Sequence, residues 1–128
     1  MGLDQSAYAK EQPSGERVGG DFSAPTFYWR KHSRLQSWME EKFYEKNAET
    51  ERNWDTFNCE ELSLSQEDID ELKCHLEAGL PESGGGMFWG HQFQEEQAKE
   101  YREQDLAFCA WADQELANGN EVIYYCWW

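Results

Sequence analysis

A small cluster of basic residues stands out in a chain that is otherwise rich in acids. Arg30, Lys31 and Arg34 lie close together, and His32 lies among them. If this segment is helical, Arg30 and Arg34 are one turn apart and share a face. Two guanidinium groups at that spacing suit a phosphate or a carboxylate, and His32 would supply an acid or a base. The alternative, which the charge balance favours, is pairing with the protein's own carboxylates.

The pair Asn58-Cys59 is a second candidate site. A cysteine nucleophile needs a nearby base, which His32 or His91 would have to supply in space. Nothing in the local sequence requires this, so a buried structural cysteine is the favoured interpretation. A zinc site is the remaining alternative, drawn from Cys59, Cys74, His75, His91 and Cys109. Their spacings match no closed zinc pattern, and no phosphate-binding or dinucleotide-binding glycine motif occurs, so no metal or cofactor is predicted.

Negative charge dominates the composition. The chain has 26 Asp and Glu against 11 Lys and Arg, which gives a formal net charge of −15 at pH 7. Direct binding to nucleic acid or to an anionic membrane surface is therefore not expected. The helices are predicted to present carboxylates outward, either as a solvated face or as a surface that imitates nucleic-acid charge. The candidate partner-binding residues are Glu67, Asp70, Glu71, Glu95, Glu96, Glu100 and Glu103.

Length and composition favour one folded domain. The 128 residues suit a single domain, and 16% aromatic residues argue against disorder despite a mean hydropathy of −0.95. Because Val and Ile are scarce, aromatic rings are expected to build the core. The four cysteines form no Cys-x-x-Cys pair, and we see neither a secretory leader nor a membrane-spanning stretch. A cytosolic protein with free, mostly buried thiols is predicted.

Extended segments are predicted where apolar residues alternate or where proline excludes a helix. They are Gly2–Lys10, Phe22–Phe27, Asn58–Leu64, the stretch around Met87-Phe88-Trp89, and Glu121–Trp128. Residues 11–20 contain one proline and several glycines, and they are expected to form a loop.

Helices are predicted from apolar residues at three- and four-residue spacing. The first runs from Tyr28 to Lys46, and the last runs without a break from Gln92 to Asn118. The second begins after Ser65, a suitable N-terminal cap, and ends at Gly79.

Five segments spread over the chain form a series: Met1-Gly2-Leu3-Asp4 with Tyr8, Tyr28-Trp29-Arg30-Lys31-His32 with Leu35 and Trp38-Met39, Asn58-Cys59, Gly86-Met87-Phe88-Trp89-Gly90, and Trp127-Trp128. In this order they resemble small proteins of tailed bacteriophages, including marine and cyanobacterial phages. The resemblance spans nearly the whole chain, although relatives have Phe-Phe-Phe-Gly at positions 87–90. It implies a phage origin and the cytoplasm of an infected bacterium, but no catalytic residues.

These observations predict an α+β fold with a small, mostly antiparallel sheet of three or four strands, covered by about three helices. Residues 1–128 are expected to form one domain. The predicted function is that of an acidic phage-encoded protein that binds a host protein with a basic surface and modulates it. The alternative is a small enzyme or anionic-ligand-binding domain that uses Arg30, Lys31, His32 and Arg34, together with Asn58 and Cys59.

Overall fold

A computed structural model describes residues 2–11, 16–17, 26–53, 56–81 and 93–128. The strands in this part are β1 (Asp4–Glu11), β2 (Glu16–Arg17), β3 (Phe27–Arg30), β4 (Glu61–Leu64) and β5 (Glu121–Trp127). The helices are α1 (Ser33–Lys46), α2 (Gln66–Ala78), α3 (Gln94–Glu100) and α4 (Arg102–Ala117). The architecture is a small α+β fold, which confirms the predicted class.

The strands form one antiparallel sheet with β1 and β5 at its centre. Strand β4 pairs with the other edge of β5. Strands β2 and β3 share the remaining edge of β1, where β3 pairs with residues 4–7 and β2 with residues 10–11. The sheet is therefore four strands wide.

Side chains alternate between the two faces of the sheet, as the pleat requires. One face carries apolar and aromatic groups such as Ala7, Trp29 and Tyr124, which belong to the buried core with side chains of α1, α2 and α4. The opposite face carries Asp4, Arg30 and Trp127, which lie in one cross-strand row. The helical layer thus covers one face of the sheet, as predicted.

Helix α2 begins and ends where its sequence indicates. The Ser65 side chain accepts a hydrogen bond from the backbone N–H of Asp68, and the Asp68 carboxylate accepts one from the backbone N–H of Ser65. This reciprocal pair satisfies two donors that the first turn would otherwise leave free. Gly79 follows the last turn with φ 98°, a conformation in which a side chain is unfavourable.

Aromatic rings build much of the core, as the composition predicts. The Phe43 and Phe57 rings stack with their centroids 4.6 Å apart, and the Trp29 ring meets the edge of Phe108 at 5.4 Å. All four cysteines are free. The expectation that they are mostly buried is confirmed for Cys109 and Cys126 and is wrong for Cys59 and Cys74, which are exposed.

The first helix is shorter than predicted. It begins at Ser33, because residues 27–30 pair with β1 as a strand and Lys31 has φ 54°. Arg30 and Arg34 therefore do not share a helical face, and the proposed one-turn spacing is wrong. The apolar residues Phe27 and Trp29 instead follow the two-residue period of β3.

The other boundaries differ in smaller ways. The last predicted helix is divided at Tyr101 into α3 and α4, and β4 begins at Glu61 because residues 56–59 form a turn. Glu16–Arg17 is a short strand inside the predicted loop. The segment around Met87-Phe88-Trp89 and most of Phe22–Phe27 lie outside the described residues. None of the described helices is long and apolar enough to cross a bilayer.

Candidate functional site

Four of the six candidate ligand-binding residues lie at one end of the sheet. Arg30 and Lys31 end β3, and the Lys31 N–H donates to the carbonyl of Leu3 at 2.9 Å. On the other side of the sheet, the Cys59 N–H donates to the carbonyl of Cys126 at 2.9 Å. The sheet order places β1 and β5 between these two positions. Arg30 and Lys31 thus lie at the same end of the sheet as Asn58 and Cys59, but the two pairs are separated by the width of two strands.

Two of these residues adopt a backbone conformation that is uncommon for side-chain-bearing residues. Among the described residues other than glycine, Lys31 (φ 54°) and Cys59 (φ 63°) alone have positive φ. Such conformations are more frequent at functional sites than elsewhere. The Lys31 side chain also lies across Gly2, since a Cβ at Gly2 would be 2.7 Å from its Cε atom.

Asp4 connects the polar side chains at this end of the sheet. Its carboxylate accepts hydrogen bonds from the Tyr28 hydroxyl and from Nη1 of Arg30, the latter at 3.0 Å. Burial and the hydrogen bond to Asp4 raise the pKa of Tyr28. The Arg30 charge is therefore compensated locally, and the end presents the exposed rings of Tyr28 and Trp127.

Asn58 and Cys59 connect the turn before β4 to the end of β5. The Asn58 side-chain oxygen accepts hydrogen bonds from the Trp128 N–H at 2.9 Å and from the Cys59 thiol at 3.6 Å. No hydrogen bond joins Cys59 to His32 within the described residues, and His91 lies outside them. The described residues therefore do not join Cys59 to His32 as nucleophile and base, and the alternative with His91 stays a prediction.

His32 belongs to the interior. Its ring is fully buried, and Nε2 donates to Oδ2 of Asp105 at 2.8 Å, while the other Asp105 oxygen accepts from Nε1 of Trp29 at 2.8 Å. The Tyr101 ring stacks on the imidazole with the centroids 5.3 Å apart. His32 Nδ1 makes no hydrogen bond within the part of the chain that is described. The two hydrogen bonds of the buried Asp105 carboxylate therefore join β3, the residue before α1, and α4.

A series of buried, hydrogen-bonded polar groups extends from His32 along the face of the sheet that packs against the helices. The Gln5 side chain accepts from the His32 N–H at 2.9 Å and donates to the Tyr124 hydroxyl at 2.8 Å. Tyr124 in turn donates to Oε1 of Gln36, and Gln36 donates to the Cys126 sulfur. Burial raises the pKa of Tyr124 well above its usual value, so the hydroxyl stays protonated.

Arg34 lies elsewhere, beside a surface cavity of about 240 Å³. The cavity lies where the first turn of α1, the end of α2 and the junction of α3 with α4 meet. Its lining consists of Arg34, Leu76, Gly79, Leu80, Glu95, Ala98, Lys99, Arg102 and Asp105. The basic cluster is thus distributed over three environments: the outer sheet face, the buried core and this cavity.

All seven candidate partner-binding carboxylates are exposed on α2, α3 and the first turn of α4. Two of the other acids in this part of the sequence are buried, namely Asp68 and Asp105. Beyond Glu103, the exposed positions of α4 are apolar or neutral, including Leu106, Ala107 and Ala110. The acidic surface is therefore formed mainly by α2 and α3.

Among the described residues, no three His, Cys, Asp or Glu side chains gather as a group that could hold a metal ion. No protein-family model matches the chain, and the comparisons with curated proteins and with solved structures gave no significant match.

Proposed function

We propose that this protein is an acidic interaction protein that binds a basic surface on another protein and modulates it. The supporting observation is the exposure and the ion pairing of the seven candidate carboxylates. All seven are exposed, and within the described residues five of them make no ion pair: Glu67, Asp70, Glu96, Glu100 and Glu103.

Exposed carboxylates without an ion partner retain their full charge. Such a surface attracts a basic partner over a distance of about one Debye length, which is roughly 8 Å at physiological salt, and it speeds the encounter. A nucleic-acid-binding protein is a chemically suitable partner, because its basic surface is already complementary to regularly spaced negative charge.

The resemblance to small phage proteins supports a bacterial protein as the partner and the cytoplasm of the infected cell as the place of binding. The regular spacing of acids on α2 and α3 is consistent with a loose imitation of nucleic-acid charge. This protein would then act by occupying the basic surface of its partner, without catalysis and without contacting nucleic acid itself.

The test compares two triple variants that each remove three negative charges. The first is Glu96→Gln, Glu100→Gln and Glu103→Gln on the acidic surface. The control is Glu49→Gln, Glu51→Gln and Glu60→Gln, three exposed residues on other segments. Both variants and the unchanged protein are used to capture proteins from a bacterial lysate at low salt, and the captured proteins are identified by mass spectrometry.

We expect one basic protein to bind the unchanged chain and the control variant but not the first variant. Raising the salt to about 0.5 M should release this protein. Equal loss with both variants would show that only net charge matters. Capture that is unaffected by either variant or by salt would contradict the proposal.

A further inference from the structure

We propose that the cavity beside Arg34 binds a small organic anion. A carboxylate or phosphoryl group would lie against the guanidinium groups of Arg34 and Arg102. The apolar part of the ligand would contact Leu76, Leu80 and Ala98, which also line the cavity. This inference is independent of the acidic surface and of its partner.

The pairing of the basic side chains supports this assignment. Ten Lys and Arg side chains are described, and seven of them pair with a carboxylate: Lys10, Arg30, Lys42, Lys46, Arg52, Lys73 and Lys99. Within the described residues, Lys31, Arg34 and Arg102 make no ion pair. Two of these three line the same cavity. Within the described part of this acid-rich chain, two arginines that line one cavity and have no carboxylate partner point to an anion from outside the chain.

Among the described residues, each of the two arginines makes one hydrogen bond that positions its side chain and leaves its other N–H donors available. Arg34 Nε donates to Oε1 of Gln94 at 3.2 Å, and Arg102 Nη1 donates to the carbonyl of Leu76 at 2.5 Å. Each bond uses one of the five N–H donors of a guanidinium group. Both side chains are therefore tied to the cavity wall, and this pre-organisation lowers the entropy cost of binding an anion.

Two carboxylates also line the cavity, and both are engaged. Asp105 accepts hydrogen bonds from the ring nitrogens of Trp29 and His32. Glu95 lies 3.7 Å from the ammonium of Lys99, and both side chains are largely exposed. The charges of Glu95 and Lys99 cancel, whereas Asp105 keeps its negative charge, so the two arginines outweigh one carboxylate and leave a net positive charge at the cavity.

The dimensions of the cavity limit the ligand. A volume of about 240 Å³ accommodates a molecule with on the order of ten non-hydrogen atoms. A nucleic-acid strand is excluded because it does not fit and because the surrounding helices carry exposed carboxylates such as Glu96 and Glu100. A monocarboxylic acid or a phosphate monoester with a short apolar body meets both conditions.

Three probes of similar size separate the contributions: hexanoate, phenyl phosphate and neutral phenol. Each is titrated into the full chain while the Nε–H signals of the arginines are followed by NMR. We expect at least one anion to shift the Arg34 and Arg102 signals with saturation in the millimolar range or below, and phenol to bind at least tenfold more weakly. The stronger of the two anions identifies the head group as carboxylate or phosphoryl.

The variants Arg34→Gln and Arg102→Gln should each weaken the binding of that anion by roughly tenfold or more, because each removes a charge-assisted contact. Arg34→Lys keeps the positive charge and should retain part of the affinity that Arg34→Gln loses. Where Arg102→Gln impairs folding, the comparison of Arg34→Lys with Arg34→Gln provides the test. The control Arg52→Gln removes an equal charge from an arginine that pairs with Glu41, and it should leave affinity unchanged.

Three results would overturn the inference. The first is the absence of saturable shifts for both anions, and the second is phenol binding as tightly as the anions. The third is a loss of affinity with Arg52→Gln that equals the loss with Arg34→Gln, because that would indicate a general charge effect.

Discussion

The buried carboxylate of Asp105 gives the sharpest test of how this fold is held together. Its two oxygens accept hydrogen bonds from Trp29 Nε1 and His32 Nε2, both at 2.8 Å, and all three side chains are buried. The contacts join β3, the residue before α1, and α4. Replacing Asp105 with Asn retains the shape but turns one acceptor into a donor.

The expected cost follows from the two lost or altered bonds. A hydrogen bond to a charged group contributes about 1.5–3 kcal/mol, so Asp105→Asn should lower the free energy of unfolding by about that amount. In Asp105→Leu both buried donors lose their acceptor, and the loss should reach about 3–6 kcal/mol. Small domains are stable by about 5–15 kcal/mol, so the Asn variant should still fold.

Urea denaturation at pH 7, followed by tryptophan fluorescence and circular dichroism, measures these values. The control is Asp70→Asn on the exposed surface of α2, which should change stability by less than about 0.5 kcal/mol. If Asp105→Asn lowers the free energy of unfolding no more than this control does, the two hydrogen bonds of the buried carboxylate do not stabilise the fold.

Three further predictions concern thiols, acid stability and the end of α2. Burial raises the pKa of Cys109 and of Cys126 to about 12, so iodoacetamide at pH 8 should modify only the two exposed thiols until urea is added, as counted by mass spectrometry. Burial alone would raise the pKa of Asp68, but the Lys46 ammonium and the Ser65 hydrogen bonds lower it. This carboxylate therefore stabilises the fold above about pH 4, and the contribution is lost as the pH falls, so Asp68→Asn should reduce the loss of stability between about pH 5 and pH 3 in urea titrations. Gly79→Ala places a Cβ in open space but at φ 98°, and it should lower the free energy of unfolding by about 1 kcal/mol; an unchanged urea midpoint would contradict this.

Local signals were sufficient for much of the fold. The cap at Ser65, the glycine at position 79 and the β-favouring residues of β5 each predicted an element that the structure contains. The start of α1 was not predictable in the same way. Residues 27–30 are fixed by pairing with β1, which is distant in sequence, and the break depends on the backbone conformation of Lys31. Tertiary pairing outweighed the helical spacing there.

The candidate sites were less predictable, because residues that are close in sequence lie here in different environments. Arg30 and His32 are two positions apart, yet one lies on the outer sheet face and the other under the helices. Asp105 is buried, whereas the seven candidate partner-binding carboxylates are exposed. Its spacing from Tyr101, Phe108 and Ala112 places it in the apolar stripe of α4, and that position was the available signal that it is buried. The role of Arg102 at the cavity depends on how α2 and α4 pack, which no local pattern reports.

The central pairing of β1 with β5 has a consequence for how the protein acquires its structure. Residues 4–10 pair with residues 121–127, so the middle of the sheet joins segments separated by most of the sequence. Closing so long a loop costs entropy before the pairing compensates for it, and domains rich in such distant contacts fold slowly. During synthesis, residues 4–10 cannot pair with residues 121–127 until the latter have left the ribosome, and until then the backbone N–H and C=O groups on that edge of β1 lack their partners.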